Sequence, residues 1–194
     1  MDYALPKNIK KIRETLENYG ITYDVWFSEK SLHDSGAVKK AIDFLTEKGY
    51  TLEKDGAIWL NGEKLGLEKD EVLVRNNGVA TYMAADIAYH YNKFITRGFD
   101  WAIDLWGADH HGHVARMKAA MEPFGISKDR LEVVLFQLVR LYRNGELARM
   151  SKRTGKAISL EDLLEEVGSN AAHFFFNLKT AGSHLDFDMD LAVK

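Results

Sequence analysis

The chain's 194 residues carry 26 Lys+Arg against 29 Asp+Glu, a formal net charge of −3, so no overall electrostatic pull towards nucleic acid is built in. Zero cysteines exclude a disulfide scaffold, thiol catalysis and thiolate metal sites. With 46% apolar and 11% aromatic residues the chain can fill one domain's core; no apolar run reaches the ~18 residues of a membrane span and no leader-like segment opens it, so a cytoplasmic setting without membrane contact is expected.

In chain order, residues 5–19 place Ile9, Ile12, Leu16 and Tyr19 on one helical stripe, with Gly20 as its stop. Tyr23-Asp24-Val25-Trp26-Phe27, rich in β-branched and aromatic side chains, reads as a strand. The spacing predicts a helix over 35–48 that buries Val38, Ala41, Ile42 and Leu45 and ends at Gly49. A hairpin is predicted over 52–65: a strand, the Asp55-Gly56 turn, the strand Ala57-Ile58-Trp59-Leu60, then an Asn61-Gly62 turn. Residues 72–74 form a short apolar strand before the turn Asn76-Asn77-Gly78. A helix over 82–96 follows, then an apolar strand over 101–106 broken by Asp104, a Gly107-Ala108-Asp109 turn and a helix over 111–123. Residues 133–139 are another strand-like run. Strand, turn and helix thus recur from residue 72 onward, the pattern of parallel strands with crossover helices, so an α/β, doubly wound sheet is expected. A polar stretch over 144–156, helices near 160–166 and 170–179 and an acidic tail over 186–190 complete the chain. No repeat or low-complexity segment interrupts it.

Three constellations carry chemistry. Gly107-Ala108-Asp109-His110-His111-Gly112-His113 follows a strand and opens a helix, where open α/β sheets bind ligands. The glycines admit a ligand to the backbone, the helix N-terminus suits a phosphate, and Asp109 suits ribose hydroxyls. Asp109 as a plain helix cap, or Asp109, His110 and His113 as metal ligands, are the rival readings. The second constellation is Arg149-Met150-Ser151-Lys152-Arg153-Thr154-Gly155-Lys156, with four cations within eight residues. Such a loop can close over a triphosphate and stabilise charge on departing pyrophosphate; a solvated basic loop is the plainer reading. A phosphate-binding P-loop is excluded, because Met150 stands where Gly is needed and Ala157 where Ser or Thr is needed. The third is Thr81-Tyr82-Met83-Ala84-Ala85-Asp86. Tyr82 and Asp86 share a helix face, and a carboxylate beside a phenol suits a guanidinium. On spacing alone, the favoured reading is Asp86 as a first-turn complement to the helix dipole and Tyr82 as a packing residue.

Together these segments resemble a known family. Arg149-Met150-Ser151-Lys152-Arg153 resembles the KMSKS loop of class I aminoacyl-tRNA synthetases. Trp106 through His113, Thr81 through His90 and Ser183-His184-Leu185-Asp186-Phe187-Asp188 extend the likeness to the bacterial-type arginyl-tRNA synthetases. The resemblance runs from about residue 23 to the end of the chain. It implies a Rossmann-like class I catalytic domain, here partial, with a small α+β insertion subdomain over 1–68 and the KMSKS-side half of the domain over 69–194. It implies activation of arginine with ATP to arginyl-adenylate and pyrophosphate, then transfer to tRNA(Arg) in the full-length enzyme. Tyr82, Asp86 and His110 match arginine-binding positions. Gly107, Asp109, His113, Met150, Ser151, Lys152 and Arg153 match ATP-binding ones, and Lys152 is the catalytic cation. Mg²⁺ is expected with ATP, held by its phosphates, with no protein metal site. A monomer is expected.

The sequence departs from the family pattern in the loop, which begins with Arg149 instead of Lys and ends with Arg153 instead of Ser; the key Lys152 stays. His110-His111-Gly112-His113 matches the second class I signature, HxGH, letter for letter. It directly follows the ribose-binding element, so it is not read as that signature, and no other HxGH occurs. The HxGH half and the helical anticodon-binding domain are therefore expected to lie outside this chain, leaving it inactive alone. A synthetase-derived arginine- or nucleotide-binding module without catalysis is the alternative reading.

Overall fold

The turn Asp55-Gly56, with both residues at positive φ (52° and 71°), joins two antiparallel strands as a type I′ hairpin does. It belongs to the larger of two units in a computed structural model of the protein, which describes residues 4–148 and 158–193. One unit is Phe27–Leu135; the other combines the described residues of Met1–Trp26 and Phe136–Lys194.

In Phe27–Leu135, a short helix, α2 (Lys30–Asp34), precedes α3 (Ala37–Glu47), the helix expected over 35–48. Val38, Ala41, Ile42 and Leu45 are the buried residues of α3, as their spacing requires. Strands β1 (Thr51–Lys54) and β2 (Ala57–Leu60) form the hairpin. Strand β3 (Glu71–Val74) then pairs antiparallel with β2, in the order β1-β2-β3. The strand at 72–74 therefore completes the hairpin's sheet instead of opening a parallel one. The tight link between β2 and β3 is the cause. Asn61 Oδ1 accepts the Lys64 N–H at 3.1 Å, and Asp70 Oδ1 accepts the Gly62 N–H at 2.9 Å. Gly62 is pressed so close that a Cβ there would meet the Lys69 carbonyl oxygen at 2.3 Å.

Thr81 donates its hydroxyl to the Val72 carbonyl at 2.6 Å and starts α4 (Tyr82–Tyr91), which continues as a π-helical turn, Asn92–Thr96. Strand β4 (Ala102–Gly107) runs unbroken through Asp104. A 3₁₀ turn, Ala108–His110, leads into α5 (His111–Met121), and β5 (Leu131–Phe136) pairs with β4. Leu45, Leu60, Leu73, Ile87, Met117, Met121 and Leu131 are fully buried, so this core lies where α3, β2, β3, α4 and α5 meet.

In the other unit, α1 (Ala4–Asn18) forms as expected, but its stripe is buried only at the C-terminal end. Tyr19 is buried, whereas Ile9 and Ile12 are 37% and 51% exposed. Tyr19 stacks on His173 at 4.0 Å, and the His173 Nε2 donates to the Tyr19 carbonyl at 2.7 Å. Residues 23–27 are not a strand. Tyr23 meets Trp26 edge-on and Arg13 lies 4.9 Å over the Trp26 ring, so aromatic contacts, not a ladder, occupy these side chains. The run 133–139 is divided between β5 and β6 (Val139–Arg143). Strand β6 pairs antiparallel with β7 (Glu146–Leu147) and parallel with β8 (Leu185–Asp188).

Helices α6 (Leu160–Val167) and α7 (Ser169–Asn177) cover this sheet's core of Leu163, Leu185, Phe187 and Met189. A reciprocal Ser159–Asp162 capping box starts α6. The acidic tail is thus not a tail: Leu185 and Phe187 point inward while Asp186 and Asp188 point outward. Asp186 pairs with Arg140 at 2.7 Å, and Asp188 caps the short helix α8 (Met189–Ala192).

Replacing Gly62 by Ala is expected to destabilise the protein by about 1–3 kcal/mol through overpacking against Lys69, read as a lowered urea midpoint at unchanged slope.

Candidate functional site

Tyr82 and Asp86 stand one turn apart at the start of α4. Gly107 ends β4, and the 3₁₀ turn carries Asp109 and His110 into α5. These elements converge. His113, buried in the first turn of α5, sets its Nε2 3.2 Å from Asp86 Oδ2. The Tyr82 ring lies 5.9 Å from His113, while Trp106 lies 5.4 Å from His113 and 6.3 Å from His110. A cavity of about 470 Å³ opens here, lined by Asp86, His90, Lys93, Asp104, His110 and His113 among others.

The sequence-predicted residues divide into two groups within this region. Asp86, His110 and His113 line the cavity, with Tyr82, two-thirds exposed, beside His113. His113, expected with the nucleotide set, is hydrogen-bonded to Asp86. Gly107 and Asp109 form a second, solvent-facing feature. The Asp109 carboxylate folds back over Gly107, where a Cβ would lie 2.5 Å from Asp109 Oδ1. Asp109 caps no helix: no side-chain capping bond is made at the start of the 3₁₀ turn or of α5. Among the described residues no cluster of three or more His, Asp or Glu is placed to hold a metal ion. Arg149, Met150, Ser151, Lys152 and Arg153 lie outside the described residues.

The residues that sequence reasoning missed are His90, Lys93 and Asp104. Asp104 is buried in β4. His90 Nε2 donates to Asp104 Oδ2 at 2.6 Å, and Lys93 Nζ donates to Asp104 Oδ1 at 2.5 Å. The other His90 nitrogen, Nδ1, donates to the Asp86 carbonyl at 2.7 Å. Burial pushes the Asp104 carboxyl up, but the hydrogen bonds and charges of His90 and Lys93 outweigh it and hold the group below its ordinary value of 3.8. A signal for this network was present. A charge inside an apolar strand demands partners, and His90 and Lys93 are three apart on one helix. Across the same region Arg116 steadies the start of α5, bonding the Gly112 carbonyl at 2.8 Å and Glu71 of β3 at 2.5 Å.

The cavity therefore holds two carboxylates in different states. Asp104 is saturated by His90 and Lys93. Asp86, a third exposed, has a single side-chain partner among the described residues, His113. The second carboxylate is the one available to a cationic ligand.

Residues 4–180 match the family model described as tRNA synthetases class I (R), catalytic domain. Arginine–tRNA ligases of Acetivibrio thermocellus and Ruminiclostridium cellulolyticum are each 69% identical over 194 residues, covering 100% of this chain and 34% of the relative. A crystal structure of a Campylobacter jejuni protein described as an arginyl-tRNA synthetase superposes with TM-score 0.88 at 40% identity, covering 97% of this chain and 41% of that one. The Thermus thermophilus arginyl-tRNA synthetase, at 19% identity and TM-score 0.80, shares the fold. The chain spans about a third of the length of the curated relatives it matches.

Asp104→Asn is expected to cost about 3–5 kcal/mol near neutral pH, because it leaves His90 and Lys93 facing a neutral group. Since folding lowers the Asp104 value, its stabilisation is complete above the ordinary 3.8 and is lost as pH falls through the folded value. Urea titrations over a pH series should find the gap between the two proteins narrowing below that value; a constant gap would show that Asp104 is not the acid-sensitive group.

Proposed function

The chain belongs to the family of class I, arginine-type tRNA synthetase catalytic domains, and on that premise we propose that its α4–β4–α5 region recognises arginine and ATP for arginyl-adenylate formation. The observation that carries the proposal is the state of Asp86. It lies in a cavity whose other carboxylate is already neutralised, and His113 holds only one of its oxygens. A guanidinium offers paired donors to the remaining face of that carboxylate. Tyr82 and His110 flank the same opening and complete the arginine set. In this reading His113 serves the amino-acid side by orienting Asp86.

Gly107 and Asp109 supply the nucleotide end. The backbone at Gly107 carries no Cβ, and the Asp109 carboxylate beside it is 82% exposed, suited to accept the ribose hydroxyls. Arginine's carboxylate oxygen attacks the α-phosphorus of ATP, the bond from that phosphorus to the bridging oxygen breaks, and pyrophosphate leaves. Lys152, with Met150, Ser151 and Arg153 in the signature loop, is assigned the stabilisation of that developing charge by its motif. Mg²⁺ enters with ATP, bound by the phosphates. Transfer to tRNA(Arg), a cytoplasmic setting and a monomeric state belong to the same proposal. No helix among the described residues is long and apolar enough to cross a membrane.

Isothermal calorimetry tests the arginine site. Saturable arginine binding is expected, weakened by about ten- to hundredfold in Asp86→Asn, the range of one hydrogen bond to a charged group. Citrulline, which lacks the charge, should bind the unsubstituted protein correspondingly weakly. Equal binding of both ligands, unaffected by Asp86→Asn, would overturn the assignment. Gly107→Ala should weaken ATP binding by displacing Asp109 while leaving arginine affinity within about twofold, checked in the same titrations.

A further inference from the structure

His90 makes two ring contacts, and both partners can only accept. Nε2 meets Asp104 Oδ2 at 2.6 Å, and Nδ1 meets the Asp86 main-chain carbonyl at 2.7 Å. A carbonyl oxygen carries no hydrogen, and Asp104 is held in its charged form. Both ring nitrogens therefore donate, which only the doubly protonated imidazole can do. The ring is buried, so solvent stands in for neither partner.

Asp104 alone does not call for such a ring. Lys93 already sets its ammonium against the other carboxylate oxygen at 2.5 Å, and one cation balances one carboxylate. Of the two donors only His90 also bonds Asp86. The main-chain ladder of α4 brings the His90 amide to that same carbonyl, so the ring N–H is a second donor on one oxygen. Asp86 is thus held at both ends. Its main chain is tied through His90 to Asp104 of β4, and its Oδ2 is tied to His113 of α5 at 3.2 Å. Its Oδ1 has no hydrogen-bond partner among the described residues.

We propose that His90 is a positioning residue for the guanidinium: a doubly protonated ring that fixes the Asp86 main chain so that Oδ1 stays turned to the ligand. The role rests on the arginine reading of Asp86. It differs from that of a plain counter-ion, because it acts on one ligand through one residue. A carboxylate whose main chain can shift keeps its charge but loses the direction of its bond, and direction is what a guanidinium fork rewards.

Two measurements test it. Ring nitrogen and proton spectra of the ligand-free, isotope-labelled protein should show hydrogen on both His90 nitrogens; an Nδ1 without hydrogen would overturn the proposal, whatever the fate of any variant. Calorimetry then reads His90→Gln, which keeps one donor for Asp104 and loses the second. Arginine should bind about tenfold more weakly, the range of one hydrogen bond, with ATP affinity unchanged. In an Asp86→Asn background the same substitution should cost nothing further, because it acts through Asp86. Equal losses for arginine and ATP, an undiminished loss in the Asp86→Asn background, or arginine affinity unchanged in His90→Gln would each overturn the positioning role alone. Arginine binding indifferent to Asp86→Asn would overturn the arginine reading and this role with it.

Discussion

A carboxylate placed inside a packed strand costs several kcal/mol of desolvation unless groups of the right charge meet it. Asp104 in β4 is met by His90 and Lys93, both from the end of α4. That three-residue contact joins the helix carrying Tyr82 and Asp86 to the strand that delivers Gly107, Asp109 and His110. Hydrophobic packing between α4 and β4 would tolerate small slips along the helix axis. Two short hydrogen bonds to the two oxygens of one carboxylate do not, because each is directional. The position of Asp86 relative to the turn after β4 is fixed accordingly, and the His90 bond to the Asp86 carbonyl extends the same restraint to the Asp86 backbone.

The same contact determines which carboxylate can bind. Two acids in one cavity would ordinarily compete for a cation, or share a proton. Here they are separated by their surroundings. Burial with two donors makes Asp104 an internal counter-ion, held in its charged form below the usual carboxylate range. Partial exposure and a single 3.2 Å contact leave Asp86 with acceptor capacity to spare. A structural anion and, in the proposed function, a recognition anion thus lie in one cavity without interchange of roles.

Legibility in the sequence tracked locality. The Asp55-Gly56 hairpin, the buried face of α3, the start of α4 and the strand–turn–helix through Gly107 depend on spacing within a few residues, and each was readable. The pairing of β3 with β2 depends on the folded link around Gly62, a close backbone approach that no periodicity encodes. Residues 23–27 have strand-forming side chains but no strand to pair with, so propensity alone misleads there. Leu185-Asp186-Phe187-Asp188 did alternate with a period of two; its net acidity hid a strand whose inner face is fully apolar. In the candidate site the motif singles out Tyr82, Asp86, Gly107, Asp109, His110 and His113, and of these Asp86, His110 and His113 line one cavity with Tyr82 beside it. Asp104 was read as a break in an apolar run because its partners sit on another element.

Helix α4 explains why these features gather where they do. Met83, Ala84, Ala85, Ile87 and Ala88 are all buried, so the helix is enclosed on most of its circumference. On the enclosed part of such a helix a buried polar side chain must find a protein group to satisfy it. His90 finds Asp104 and the Asp86 carbonyl; Lys93 finds Asp104 and the face of Tyr89, 4.5 Å from the ring centroid. Asp86 finds one histidine and keeps capacity for a cation. Asn92, one step beyond the α-helical ladder, has a buried side-chain oxygen that meets no hydrogen-bond donor among the described residues. The polar groups of α4 thus range from saturated to unsatisfied, and of its groups that line the cavity, His90 and Lys93 are taken up by Asp104 whereas Asp86 keeps acceptor capacity among the described residues.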